Sequence, residues 1–147
     1  MEFYSRAKKI NREDINSIEA SLNIVLPEIL INHYLENNGG IPENQYIYND
    51  EYDTFFKIKF FKPFLYESEE YSTFTIEDTY KMHVLEKQTF DKKYLPFAND
   101  VSNNLYCLNL ENGEIDLIFL DKEDIEILNI SSNLNEFIDN LEEEGDD

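Results

Sequence analysis

The sequence predicts an α+β fold with a mainly antiparallel sheet flanked by N-terminal, middle and C-terminal helices. Three observations carry that prediction. Two amphipathic helical patterns come first in the chain, the region beyond Pro42 switches to a period of two, and an Asn-Gly turn joins two apolar runs ahead of a last capped helix. Helices and strands are segregated rather than strictly alternating, which argues for antiparallel pairing over βαβ units.

Each element follows from local chemistry. Asn11 with Asp14 three residues on reads as an N-cap and its acidic N3 partner, and Ile15, Ile18 and Leu22 recur at helical spacing, predicting a first helix from Arg12 to Leu22. Pro27 opens a second helix that buries Leu30, Tyr34 and Leu35, with Gly39 expected as its left-handed C-cap. Tyr46 and Tyr48, then Phe56, Ile58 and Phe60 alternating with Lys57 and Lys59, predict two half-buried strands around a turn at 49–53. The lysines of the stretch 55–62, Lys62 included, are expected to face solvent on an edge strand. Thr75 with Asp78 predicts a third helix to about residue 87, burying Ile76, Tyr80, Val84 and Leu85. Runs 105–110 and 115–120 around Asn112-Gly113 predict a hairpin with a type I′ turn, its core residues including Leu108, Leu110, Ile118 and Leu120. Asn133 with Glu136 caps a last helix that turns Leu134, Phe137, Ile138 and Leu141 inward, and an acidic tail, 142–147, is expected to fray because carboxylates oppose the dipole at a helix C-terminus.

Composition narrows the function classes. The 147 residues, without repeat or Pro/Gly/Ser-rich linker, suit one domain spanning 1–147, and 11 Phe with 10 Tyr exclude wholesale disorder. The 32 acidic against 12 basic side chains give a net charge of −20, which repels phosphate backbones, so nucleic acid is not an expected partner. Acidity is concentrated: residues 101–147 hold 14 acidic side chains and one basic, Lys122. No apolar run approaches the ~20 residues needed to span a bilayer, so no membrane is expected. A single cysteine, Cys107, and a polar N-terminus without a signal-peptide apolar region point to the cytoplasm.

The search for chemistry finds little. Cys107 lies in an apolar strand and neither His33 nor His83 forms a family signature with it, so a buried structural thiol is expected. One Cys and two distant His supply no zinc set, Asp50-Glu51-Tyr52-Asp53 lacks the glycine of a calcium loop, and no phosphate-loop, dinucleotide or nucleophile-elbow motif occurs. No catalytic residue, metal or cofactor is assigned, and the chain is expected not to be an enzyme. Of the carboxylates, Asp121 and Glu123 would be the candidates for a hydrolase, with no base, metal or oxyanion donor beside them.

Several motifs in order and spacing suggest a family. Leu26-Pro27-Glu28 opens a helix ending Asn37-Asn38-Gly39-Gly40-Ile41-Pro42; Tyr94-Leu95-Pro96-Phe97-Ala98-Asn99-Asp100 precedes a strand; Phe119-Leu120-Asp121-Lys122-Glu123 and Asn133-Leu134-Asn135-Glu136-Phe137-Ile138 follow. Together they resemble the SUKH superfamily of Smi/Knr-type domains, in its bacterial immunity-protein branch. Ser102-Asn103-Asn104 departs from the family's glycine-containing turn, and residues 43–93 match in general character alone.

The resemblance implies an α+β fold and a cytoplasmic immunity protein that neutralises a polymorphic or contact-dependent toxin, often a nuclease, by protein–protein contact. The alternative within the superfamily is a non-enzymatic regulatory or scaffold domain. A basic toxin would suit the acidic surface, and steering by charge would speed its capture. The acids expected to meet it, as exposed groups around the hairpin, are Asp100, Glu114, Asp116, Asp121, Glu123 and Asp124. An alternative set is Glu51, Asp53, Glu67, Glu69 and Glu70.

Overall fold

A computed structural model describes residues 1–143. Its centre is a five-stranded antiparallel sheet in the order β5-β6-β7-β8-β9, made of β5 (Phe60–Phe61), β6 (Tyr94–Asn99), β7 (Leu105–Asn109), β8 (Ile115–Phe119) and β9 (Glu126–Ser131). Two small antiparallel pairs flank it: β1 (Phe3–Tyr4) with β2 (Ile41–Pro42), and β3 (Tyr46–Asn49) with β4 (Thr54–Lys57). The helices are α1 (Arg12–Leu22), α2 (Glu28–Glu36), α3 (Ile76–Tyr80) and α4 (Leu134–Asp139). The α+β class read from the sequence is the class observed.

The caps form as the sequence dictates. Asn11 and Asp14 make a reciprocal capping box on α1, Thr75 accepts from the Asp78 N–H at α3, and Asn133 accepts from the Glu136 N–H at α4. Pro27 is the N-cap of α2 rather than its first helical residue. The third helix reaches residue 86, but from Lys81 to Glu86 it widens into a π-helix, and Leu85 is exposed. Beyond α4, Leu141 is buried and Glu142 exchanges backbone hydrogen bonds with Tyr46, at 2.7 and 3.1 Å. Of the tail expected to fray, 144–147 lie outside the described residues.

Several local readings need correcting. The hairpin turn is not type I′: Gly113 alone has a positive φ, +79°, and the loop is longer, closed by Asn109 N–H donating to the Glu114 carbonyl and by the Asn109 side chain accepting from the Glu111 N–H. Leu108 and Ile118 are fully buried as expected, whereas Leu110 and Leu120 are half-buried at the strand ends. In β3 the inward residues are Ile47 and Asn49, with Tyr48 outside, because the register pairs Ile47 with Phe56. The strand β9 had no place in the sequence reading: its apolar residues are diluted by Glu126, Asn129 and Ser131, as suits a sheet edge.

Gly39 also serves differently. The α2 C-cap is Asn37, and Gly39 stands two residues beyond it, where an added Cβ would lie 2.9 Å from Pro63 N. Its neighbour Asn38 is buried and ties three segments together, donating to the Lys8 and Phe64 carbonyls and accepting from the Phe64 N–H. The Asn-Gly-Gly motif is thus a chain crossing in which no side chain fits at residue 39.

The two faces of the central sheet differ in chemistry. Direct partners share a face, so Phe61, Ala98, Tyr106 and Leu117 form one, on which Phe137 of α4 packs at 5.6–6.3 Å from the rings of Phe61, Phe97 and Tyr106. The other carries Phe60, Asn99 and Leu105, and further along Cys107 opposite Asp116. It is covered at one end by the third helix, where Phe90 packs edge-on against Tyr94. Lys62, two residues from Phe60, is only 3% exposed, contrary to the solvent-facing lysine expected. The strand period breaks at Ile58 and Lys59, where the chain passes from β4 to the central sheet, and Lys62 then falls under the loop 67–74.

Candidate functional site

Two turns rich in exposed acids come together at one end of the sheet. The turn after β8 carries Asp121, Glu123 and Asp124, all exposed, and the turn between β3 and β4 carries Glu51 and Asp53, also exposed. Tyr52 joins them: its hydroxyl donates to Glu126 Oε1 at 2.8 Å. Beneath, the Phe56 ring lies 6.2 Å from that of Tyr52 and 6.3 Å from that of Phe119, so the β3–β4 hairpin packs against the end of β8. Part of the principal set and part of the alternative set of acids therefore form a single surface.

Charge on that surface is only partly compensated. Lys122 pairs with Glu126, and this contact, followed by the Tyr52 hydroxyl, holds the Glu126 carboxyl below its ordinary range. The Tyr48 hydroxyl donates to Asp53, which raises the phenol's pKa. Interspersed are large apolar side chains open to solvent: Tyr48, Tyr52, Ile125 and Ile127, at 39–47% exposure. Acids around exposed aromatic and aliphatic groups suit a protein interface, where apolar contact supplies affinity and the charged rim supplies rate and selectivity. The charge signal alone missed these four residues, although aromatic and isoleucine residues set among acids in both turns were there to be read.

The remaining expected acids are placed otherwise. Asp116 is buried at 7% exposure and accepts from Asn129 Nδ2 at 3.0 Å, because β8 is an inner strand with neighbours on both sides; the expectation that it is exposed is wrong. Asp100 is half-buried and its carboxylate accepts from the Ser102 and Asn104 N–H groups and from Asn104 Nδ2, so it holds the β6–β7 turn. The Asn104 side chain in turn accepts from the Leu120 N–H, which sets this turn beside the acidic end. Glu114 is half-buried and lies at the opposite end of β8, ~17 Å away for five residues of strand. Glu67, Glu69 and Glu70 belong to a separate loop, where Glu70 accepts from the Ser5 hydroxyl.

No group of three or more His, Cys, Asp or Glu among the described residues is placed to hold a metal ion. Cys107 is fully buried, and burial followed by nearby Asp116 pushes its thiol pKa well up, away from the thiolate a nucleophile needs. No helix among the described residues is long and apolar enough to cross a membrane.

Comparison with the curated proteins gives no match. The family model for the SMI1 / KNR4 family (SUKH-1) matches residues 9–140, from the turn before α1 to the end of α4. The match spans the capped helices, the Asn-Gly-Gly crossing and the whole central sheet, and the chain accordingly belongs to the SMI1 / KNR4 family (SUKH-1).

Proposed function

We propose that this protein is an immunity protein that binds and neutralises a cognate toxin by contact, without catalysis of its own. Membership of the SUKH-1 family is the observation that carries this reading. The acidic end of the sheet supports it, offering Asp121, Glu123, Asp124, Glu51 and Asp53 around Tyr52 and Ile127 to a basic partner. At net −20 the chain attracts such a partner over a Debye length of ~8 Å at physiological salt, and the apolar side chains then hold it. Asp116 takes no part, and Asp100 shapes the neighbouring turn.

The decisive experiment is rescue of growth. The protein is co-expressed with a candidate toxin domain taken from a neighbouring gene, and survival is expected. With the purified pair, changing Asp121, Glu123 and Asp124 together to Asn or Gln should slow association several-fold at low salt and leave dissociation nearly unchanged. No rescue, with no complex formed, would refute the immunity reading. Rescue with an unaltered association rate would move the contact to the loop of Glu67, Glu69 and Glu70.

A further inference from the structure

A pocket of about 390 Å³ opens between the edge of the sheet and the π-helical segment, far in chemistry from the acidic surface. Phe60, Asn99 and Leu105 are register neighbours on one face and, with Lys62, contribute to its lining, as do Met82 and His83 of the π-helix and Phe74 of the loop before α3. The widened π turn brings two consecutive residues, Met82 and His83, to the same pocket; such segments recur at functional sites.

Two buried polar side chains in this pocket lack the partners that burial demands. Lys62 Nζ donates to Thr73 Oγ1 at 2.8 Å, and that hydroxyl is itself committed to the Phe74 carbonyl at 3.0 Å. The ion pairs of the described residues, Arg12–Glu28 and Lys122–Glu126, do not include Lys62. Burial pushes its pKa down to about 8, so at neutral pH most of it remains an ammonium, with two N–H bonds uncommitted. Asn99 is 6% exposed, and its Oδ1 has no hydrogen-bond partner among the described residues. A half-turn of that amide exchanges oxygen for nitrogen without changing its shape, so the position can present a donor. Buried polar groups left this way cost stability unless something completes them.

The chemistry of the walls selects what would complete them. His83 stacks on Phe90 at 5.4 Å, and burial, then Lys87 and Lys62, push its pKa down, so it adds no charge at neutral pH. The pocket therefore holds one cation, the amides of Asn99 and Asn103 and the apolar surfaces of Phe60, Phe74 and Leu105, with the Glu67 carboxylate at its rim. A doubly charged phosphate would face that rim and a chain of −20 with a single lysine to offset both. We propose that this pocket binds a small monocarboxylic acid with an apolar body, its carboxylate held by Lys62 Nζ and Asn99 and its body lying against Phe60, Phe74 and Leu105. The site is independent of the toxin-binding reading.

The test is titration of the full chain with phenylacetate, followed by backbone-amide NMR, alongside its neutral twin 2-phenylethanol and a capped glutamate amide standing for a partner's side chain. Phenylacetate should give saturable shifts at residues 60–62, 72–74, 82–83 and 99, and the other two should bind ~10-fold more weakly or worse, as expected for a lost charge-assisted hydrogen bond or a missing apolar body. Lys62→Met should weaken phenylacetate by a similar factor while staying folded, its thermal midpoint no lower than that of the unaltered chain. Should that variant fail to fold, the comparison of ligands on the unaltered protein still decides. Binding should also fade above pH 8 as the ammonium loses its proton. The other titratable groups facing it are Glu67, His83 and Cys107, and Glu67→Gln should preserve the fade. Absence of saturable shifts, equal binding of 2-phenylethanol, preference for the glutamate amide, or unchanged binding in a folded Lys62→Met would each overturn the proposal.

Discussion

The two faces of the five-stranded sheet are equally buried and differ in what they bury. On one, Phe61, Phe97, Tyr106 and Phe137 form a dry aromatic layer whose one hydroxyl, that of Tyr106, donates to the Lys57 carbonyl at 3.0 Å. On the other, Lys62, Asn99, Cys107 and Asp116 are each under 9% exposed, and two of them lack adequate partners. Apolar burial stabilises at about 25 cal/mol per Å² without regard to detail, whereas a buried polar group stabilises only when every bond is made. The first face therefore holds the fold together, and the second retains groups that cost stability, which is the mark of a place kept for a ligand.

Truncating the dry face should give the largest effect. Phe137→Ala removes a ring contacting three others and should cost about 3–5 kcal/mol by urea denaturation. A loss below 1 kcal/mol would erase the distinction between the faces.

The opposite sign is expected across the sheet. Lys62→Met keeps the length of the side chain and removes an under-partnered cation, and should stabilise the protein at pH 7 by on the order of 2 kcal/mol. The sign follows from linkage. Lys62 titrates near 8 when folded and 10.5 when unfolded, so the unfolded chain binds the extra proton between those values and the wild type gains stability as pH rises through that window. The advantage of the variant should shrink from pH 8 upward and be nearly gone by pH 10.5. A destabilised Lys62→Met would show the lysine fully satisfied.

His33 sharpens the same contrast from the dry side. It sits among Phe3, Tyr34 and Phe61 with its Nε2 unpartnered, and burial pushes its pKa down to about 4. Between pH 6.5 and 4 the unfolded chain takes up a proton the folded one refuses, so stability falls as pH drops through that range. His33→Phe should remove about 1–2 kcal/mol of that fall. Denaturation curves of the two proteins that stay parallel from pH 7 to 4 would contradict it.

The smallest effect belongs to the loop joining β7 and β8, outside both faces. Nothing lies within 4 Å of a Cβ built on Gly113, so Gly113→Val should cost about 1 kcal/mol, through its positive φ alone. An unchanged denaturation midpoint would mean that this loop relaxes freely, and that packing of the faces alone sets stability.

The sequence by itself determined what is local. Asn11, Thr75 and Asn133 specify their helix starts because a cap needs one side chain and the next three amides, and all three caps are present. The apolar runs 105–110 and 115–120 around Asn112-Gly113 specify a buried hairpin, and the ordered short motifs specify the family. What depended on distant partners was decided only by the tertiary structure. Gly39 is required because Pro63 passes beside it, and β9 is a strand because β8 offers it a free edge. Asp116 and Lys62 look like surface residues in a sequence, since charge ordinarily avoids burial. Asp116 is inside because β8 is an inner strand, and Lys62, just past the end of β5, because the loop 67–74 lies over it; both depend on segments up to dozens of residues away. The acidic end was legible as two separate clusters of carboxylates; that they are one surface rests on Tyr52 reaching Glu126 across 74 positions of chain, a contact that no local pattern encodes.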